Sequence, residues 1–271
     1  MTQRTLTVLV DNVSSQPGIG CEWGLSLAID LGGSDGVWLW DAGQTDLFIK
    51  NAAALGIDVA TARGLALSHG HYDHTGGLNA LLSAGFTGEI FAHEACQQAR
   101  YAMEEGKAKP IGAPNALPPF TEAQTRTRLA PGLTLITEIA RQQGNAQAVQ
   151  GFFLDPEGNE HDDVPDDSFL LLETESGPVV ILGCCHSGLA NSLSAVYERT
   201  GISEVHAVLG GLHLYQASQG AMEETARALT NFKVRVLVAG HCTGVDRTEA
   251  LRNSLPNIQV HNLQAGQSWI F

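Results

Sequence analysis

Leu67-Ser68-His69-Gly70-His71-Tyr72-Asp73-His74-Thr75-Gly76-Gly77 places three histidines and an aspartate within six residues. An apolar run, residues 64–68, leads into it and a Gly-Gly pair follows, so the donors stand on a turn between a buried strand and a helix. Imidazole and carboxylate both bind zinc and similar borderline divalent metals. Side chains of an extended backbone repeat with period two, so His69 and His71 point the same way. Asp73 and His74 lie past the bend, placed to face a second ion. A polar loop that merely happens to hold histidines is the plain alternative, and it accounts poorly for four donors in this order.

The same design recurs downstream. The strongly β-prone run 179–183 is followed at once by Cys184-Cys185-His186-Ser187-Gly188. Run 205–209 leads into Gly210-Gly211-Leu212-His213-Leu214, and run 234–239 into Gly240-His241-Cys242-Thr243-Gly244. Four apolar strands therefore end in glycine turns that carry histidine. Ligands at strand ends converge when the strands of one architecture stop at the same edge.

His69-x-His71-x-Asp73-His74 followed by Thr75-Gly76-Gly77 resembles the signature of the metallo-β-lactamase fold superfamily. The resemblance implies a mixed α/β (α+β) fold, an αββα sandwich with the metal site at the edge of the two sheets. The blocks Gly183-Cys184-Cys185-His186-Ser187-Gly188, Gly210-Gly211-Leu212-His213-Leu214 and Gly240-His241-Cys242-Thr243-Gly244 are similar to one branch of it. That branch is named for dihydropterin-6-yl-methyl-ribofuranosylaminobenzene-phosphate synthase. Asp11-Asn12 and Glu22-Trp23-Gly24-Leu25-Ser26 also resemble its N-terminal pattern, with Trp23 where a histidine is common.

Carried over residue by residue, the resemblance implies His69, His71 and His186 for one ion and Asp73, His74 and His241 for the other. Asp41, at the end of the expected strand 36–40, takes the position that orients a metal-bound histidine by accepting its second N–H. Capping the expected helix 44–55 is its other reading. Cys184 departs from the pattern, standing where a bridging aspartate is usual. A thiolate there either ligates an ion, favouring zinc, or the side chain packs as a small hydrophobe. His213 has no ligand duty in the general fold, and a role on the substrate or as a proton donor is expected for it.

At 271 residues the chain is expected to form one domain over 1–271, with a proline-rich insert around 106–120. Four prolines there read as a surface excursion, placed either as a lid on the metal edge or as an insert without function. A strand is expected over 88–93 and a helix over 94–105. The acidic run 155–167 reads by default as a solvated loop, with His161 as an alternative third histidine. Acidic residues outnumber basic ones 29 to 15, a net charge of −14 that opposes a grip on nucleic acid. The five cysteines lack zinc-ribbon spacing and fit reduced thiols; with no signal-peptide pattern and no membrane-length apolar window, a cytoplasmic protein is expected.

Two divalent ions, zinc first with iron and manganese as the other candidates, point to a metallohydrolase acting on a phosphoester, phosphodiester or related ester. A small-molecule substrate, related to those of the pterin pathway, follows from the branch resemblance. Asp73 and His213 are the catalytic candidates. An iron redox enzyme of the same fold and a metal-binding sensor without turnover are the rival readings. The sequence leaves the oligomeric state open.

Overall fold

Val179–Leu182 shows how the layers arise. All four residues are buried, and they divide by parity. Val180 and Leu182 join the apolar cluster under the helices Leu189–Thr200, Gln219–Asn231 and Val245–Ser254, through residues such as Leu193, Leu229 and Leu251. Val179 and Ile181 face the other way, into a cluster with Leu27, Ile29 and Trp40 of the opposite sheet. A strand covered on both faces needs a continuous apolar sequence, and Val-Val-Ile-Leu supplies it.

The computed structural model describes residues 3–14, 16–142 and 144–271. One seven-stranded sheet runs, in spatial order, Ser268–Ile270, Thr5–Val10, Ser26–Asp30, Val37–Trp40, Gly64–Ala66, Glu89–Ala92, Thr121–Glu122. The other runs Gln259–Asn262, Val236–Gly240, Ala207–Gly211, Val179–Leu182, Phe169–Leu172, Leu133–Ile136, Arg126–Ala130. Helices Leu47–Ala54 and Leu78–Ser83 cover the outer face of the first sheet through Phe48, Ala52, Leu78 and Leu81. The expected αββα layering is therefore present.

Strand direction gathers the functional turns. Val37–Trp40, Gly64–Ala66 and Glu89–Ala92 are mutually parallel, as are Val179–Leu182, Ala207–Gly211 and Val236–Gly240. Their carboxyl ends carry Asp41, His69, His186, His213 and His241 to one edge of the sandwich. Among the described residues no helix is long and apolar enough to cross a membrane.

Several expectations are corrected. The helix read over 44–55 begins only at Leu47, because the Gln44 and Thr45 amides donate instead to Glu22 Oε1 at 2.9 and 3.0 Å. Of the helix read over 94–105, only Glu94–Gln97 turns, as a 3₁₀ helix. Tyr101–Glu104 is instead a strand hairpinned to Lys107–Pro110. Its turn is Glu105-Gly106, with φ of 51° and 75°, the paired positive values that two-residue hairpins favour. Phe152–Phe153 adds a third strand, leaving Lys107–Pro110 at an edge where its proline costs no ladder bond. The insert also reaches the histidine loop, since the Tyr72 amide donates to Ile111 O at 2.9 Å.

Candidate metal centre

The turn after Gly64–Ala66 is shaped by close contacts. A Cβ on Gly70 would lie 2.2 Å from the Cys96 carbonyl oxygen, so no side chain fits between His69 and His71. Asp41 then organises the turn: its Oδ1 accepts from the Ser68 amide at 2.7 Å, and its Oδ2 from Ser68 Oγ at 2.8 Å and His74 Nδ1 at 2.7 Å. Helix Leu47–Ala54 has Asp46, not Asp41, at its cap position. Asp41, Cys185, His213 and His241 all have positive φ, between 47° and 59°. Non-glycine residues there carry strain on the order of 1–3 kcal/mol each, and these four sit at strand ends on the same edge.

The ring nitrogens divide into an outer and an inner set. His69 Nδ1 donates to Ser68 Oγ at 2.8 Å, His74 Nδ1 to Asp41, and His186 Nδ1 to Ala148 O at 2.6 Å. Their Nε2 atoms are left as lone pairs directed inward. His69 Nε2 lies 2.9 Å from His71 Nδ1 and 3.3 Å from His186 Nε2. The facing lone pairs of His69 Nε2 and His186 Nε2 repel unless a cation lies between them, which is the donor chemistry that a divalent metal satisfies.

The ligand atoms of His69, His71 and His186 lie within 4.8 Å of one another, and so do those of Asp73, His74 and His241. These are the two triplets expected from the sequence. His241 Nε2 is 3.2 Å from His74 Nε2 and 3.4 Å from Asp73 Oδ2. Cys184 does not turn into the core: its Sγ is 3.2 Å from His74 Nε2, and it joins one further group with His69 and His74 and another with His186 and His213. Cys185 takes the core position instead, 3.5 Å from Ser192 Oγ.

Burial keeps the three histidines of the first triplet neutral. It pushes His69 and His186 well below the usual range, helped by the neighbouring imidazoles, and takes His71 down to about 3. Burial acts to lower His241 too, but Cys242 and Asp73 outweigh it and raise His241 to about 9. Burial would raise Asp73, yet His74 and His241 hold it below the carboxylate range. The Asp73–His241 pair is thus charge-balanced without metal, and a cation would displace the proton.

The His213 ring lies 4.6 Å from that of His186, tilted by 47°, and 6.1 Å from Phe152, with its buried Nδ1 lacking a partner among the described residues. Phe152 also lies 5.1 Å from the His71 ring and 5.4 Å from that of His186, forming an apolar wall that sequence reading missed. Trp23, half-exposed, lies 5.3 Å from His241. Asp11 and Asn12, noted only as pattern, hold His241: Asp11 Oδ1 accepts from its amide at 2.8 Å and Asn12 Oδ1 faces its Nδ1 at 3.1 Å. Burial raises Asp11 to about 6, against the pull of His241.

His161 is the candidate that the structure leaves outside. It is exposed, beside Asp163 at 3.2 Å and against Phe153, and the histidine that stands with His69 and His71 is His186. The run 155–167 is no solvated loop throughout either: Asp162, Asp166 and Asp167 are buried. Arg100, also buried, balances the first two.

Comparison with known proteins agrees with this geometry. The chain is 29% identical over 207 residues to 7,8-dihydropterin-6-methyl-4-(beta-D-ribofuranosyl)-aminobenzene-5'-phosphate synthase of Methanocaldococcus jannaschii, covering 72% of this chain and 70% of that protein. It is 26% identical to Uncharacterized protein MJ0448 of the same organism, over 88% and 90% of the two chains. Among solved structures it matches Tm1679, described as a metal-dependent hydrolase of the beta-lactamase superfamily, at a TM-score of 0.83 and 27% identity over 98% of both chains. YhfI of Bacillus subtilis, a metallo-beta-lactamase fold protein, matches at 0.61 and 14% identity over 98% and 99%, sharing the fold alone. Residues 22–241 match the family described as the metallo-beta-lactamase superfamily, and the chain belongs to it.

Proposed function

We propose that the chain is a metallohydrolase with a binuclear centre acting on a small phosphoester, phosphodiester or related ester. The observation that carries the reading is the convergence of two donor triplets, His69/His71/His186 and Asp73/His74/His241, on one buried space with Cys184 between them. Zinc suits a set of imidazoles, one carboxylate and one thiol, with iron and manganese as the other candidates. Bound there, two divalent ions supply an acidified water and a positive clamp on the substrate's oxygens.

The protein's groups complete the reaction. Asp73 faces the centre as a carboxylate and orients the attacking water, whose oxygen joins phosphorus or carbonyl carbon while the ester bond breaks. His213 stands beside His186 with its Nδ1 unpartnered among the described residues, placed to give the leaving oxygen its proton. Phe152 excludes bulk water from the triplet below it. The relative's name supports a phosphorylated pterin-like substrate, and the net charge of −14 argues for a small molecule over nucleic acid.

Metal analysis of protein purified without added metal, followed by a panel of phosphodiesters, cyclic phosphates, lactones and thioesters, tests the reading. About two equivalents of metal and turnover abolished by chelation are expected. His71→Ala and Asp73→Asn are expected to remain folded while losing at least about 100-fold in rate, the lower bound of what a single proton-transfer group contributes. Full turnover by these variants in chelator would refute the mechanism.

A further inference from the structure

Three consecutive residues ahead of the strand Phe169–Leu172 bind the backbone of two metal-centre turns. Asp166 Oδ2 accepts from the Gly70 amide at 2.7 Å, between His69 and His71. Asp167 Oδ2 accepts from the Ser187 amide at 2.7 Å, directly after His186. Ser168 Oγ donates to Ser68 O at 2.7 Å. The two turns follow strands of opposite sheets, Gly64–Ala66 and Val179–Leu182. This short segment therefore crosses the seam between sheets where the first triplet must be assembled from two pieces.

Its charge is fixed from a third place. Arg100 Nη1 and Nη2 donate to Asp166 Oδ2 and Oδ1 at 2.9 and 2.5 Å. Arg100 Nε stands 3.0 Å from Asp162 Oδ2, a charge contact outside hydrogen-bond geometry. All three side chains are fully buried. Buried ion pairs contribute little net stability over apolar packing, so their retention here calls for another use. A carboxylate accepts from an amide about twice as strongly as a neutral acceptor. Gly70 is pressed against the Cys96 carbonyl with no side chain of its own.

We infer that Asp166, clamped by Arg100, and its neighbour Asp167 are positioning residues that hold the His69/His71 turn and the His186 turn at the separation a single cation requires. The inference rests on the reading that this triplet binds metal. Outer partners of ligands typically contribute about 10–100-fold to metal affinity. The clamp's effect is local: the Asp73/His74/His241 triplet takes its outer bonds from Asp41, Asp11 and Asn12.

Cobalt(II) titration followed by visible absorption tests this in two backgrounds of the full chain. His241→Ala isolates the first triplet, and His71→Ala isolates the second. Asp166→Asn and Asp167→Ala are expected to weaken cobalt binding about 10–100-fold in the first background and to leave the second unchanged. Asp167→Ala removes the bond to the Ser187 amide while leaving Arg100 paired with Asp166, so it serves where Asp166→Asn, which strands the Arg100 charge, fails to fold. Exposed Asp163→Ala is the control, without effect in either background. Unchanged affinity in the first background, or equal loss in both, overturns the inference. Absence of cobalt binding by the unsubstituted protein overturns the metal reading itself.

Discussion

At the scale of single residues, Cys184 sets this centre apart from the aspartate-bridged pattern that its motif resembles. Its Sγ lies within 4.8 Å of ligand atoms from both triplets, which gives the thiol a bridging place. Burial raises the free thiol well above its ordinary range, so only a cation nearby makes the thiolate affordable. The cobalt-loaded protein is therefore predicted to show an intense near-ultraviolet sulfur-to-cobalt band. Cys184→Asp is predicted to abolish the band while retaining two ions, because the carboxylate restores an oxygen bridge. Persistence of the band in Cys184→Asp, with loss in Cys242→Ser, would move the ligand to the other thiol. Gly70 gives a second test. Gly70→Ala forces a methyl to within 2.2 Å of the Cys96 carbonyl oxygen, and overpacking of this kind costs about 1–3 kcal/mol. Urea unfolding of the metal-free protein would measure it.

Among elements, the segment carrying Asp162, Asp166 and Asp167 has a pH dependence of its own. Burial works to raise Asp166, but Arg100 outweighs it and holds the carboxyl below its usual range. Its stabilisation is therefore complete above about pH 4, where an unfolded aspartate is ionised, and is lost as pH falls through the lower folded value. Asp162 runs the other way, raised by burial against the pull of Arg100, so acid relieves a cost there. Asp166→Asn is predicted to destabilise by about 3–5 kcal/mol at neutral pH, a difference that shrinks towards pH 3. Urea titrations of both proteins from pH 3 to 7 measure it; a gap that stays constant would mean that the charge plays no part. This segment was also the least legible from sequence. Its acids look solvated because their counter-charge, Arg100, is 66 residues from Asp166. The strand-end histidines were legible because each follows a β-prone run with a glycine turn. The hairpin at Glu105-Gly106 was lost to the helical look of 94–105, since alternation in Tyr101–Glu104 is weak. Helices Gln219–Asn231 and Val245–Ser254 went unread because neither has a long apolar run, and the second buries only Thr248 and Leu251.

For the molecule as a whole, the site works against the fold that carries it until a cation arrives. Four strained residues, a set of inward lone pairs and a net charge of −14 all lie on the side of cost. Ligand binding to the folded state alone adds RT ln(1 + [L]/Kd), so each tenfold rise in free metal above Kd adds about 1.4 kcal/mol per site. With two sites the slope is about 2.8 kcal/mol per decade. Chelator-treated protein is accordingly predicted to unfold several degrees lower than metal-loaded protein, and its midpoint to climb with free zinc. His241→Ala is predicted to halve the slope by removing one site. A midpoint that ignores zinc over a thousandfold range would show that the convergent histidines hold no ion, whereas a single-site slope in the unsubstituted protein would reduce the centre to one metal and leave Asp73 as its general base.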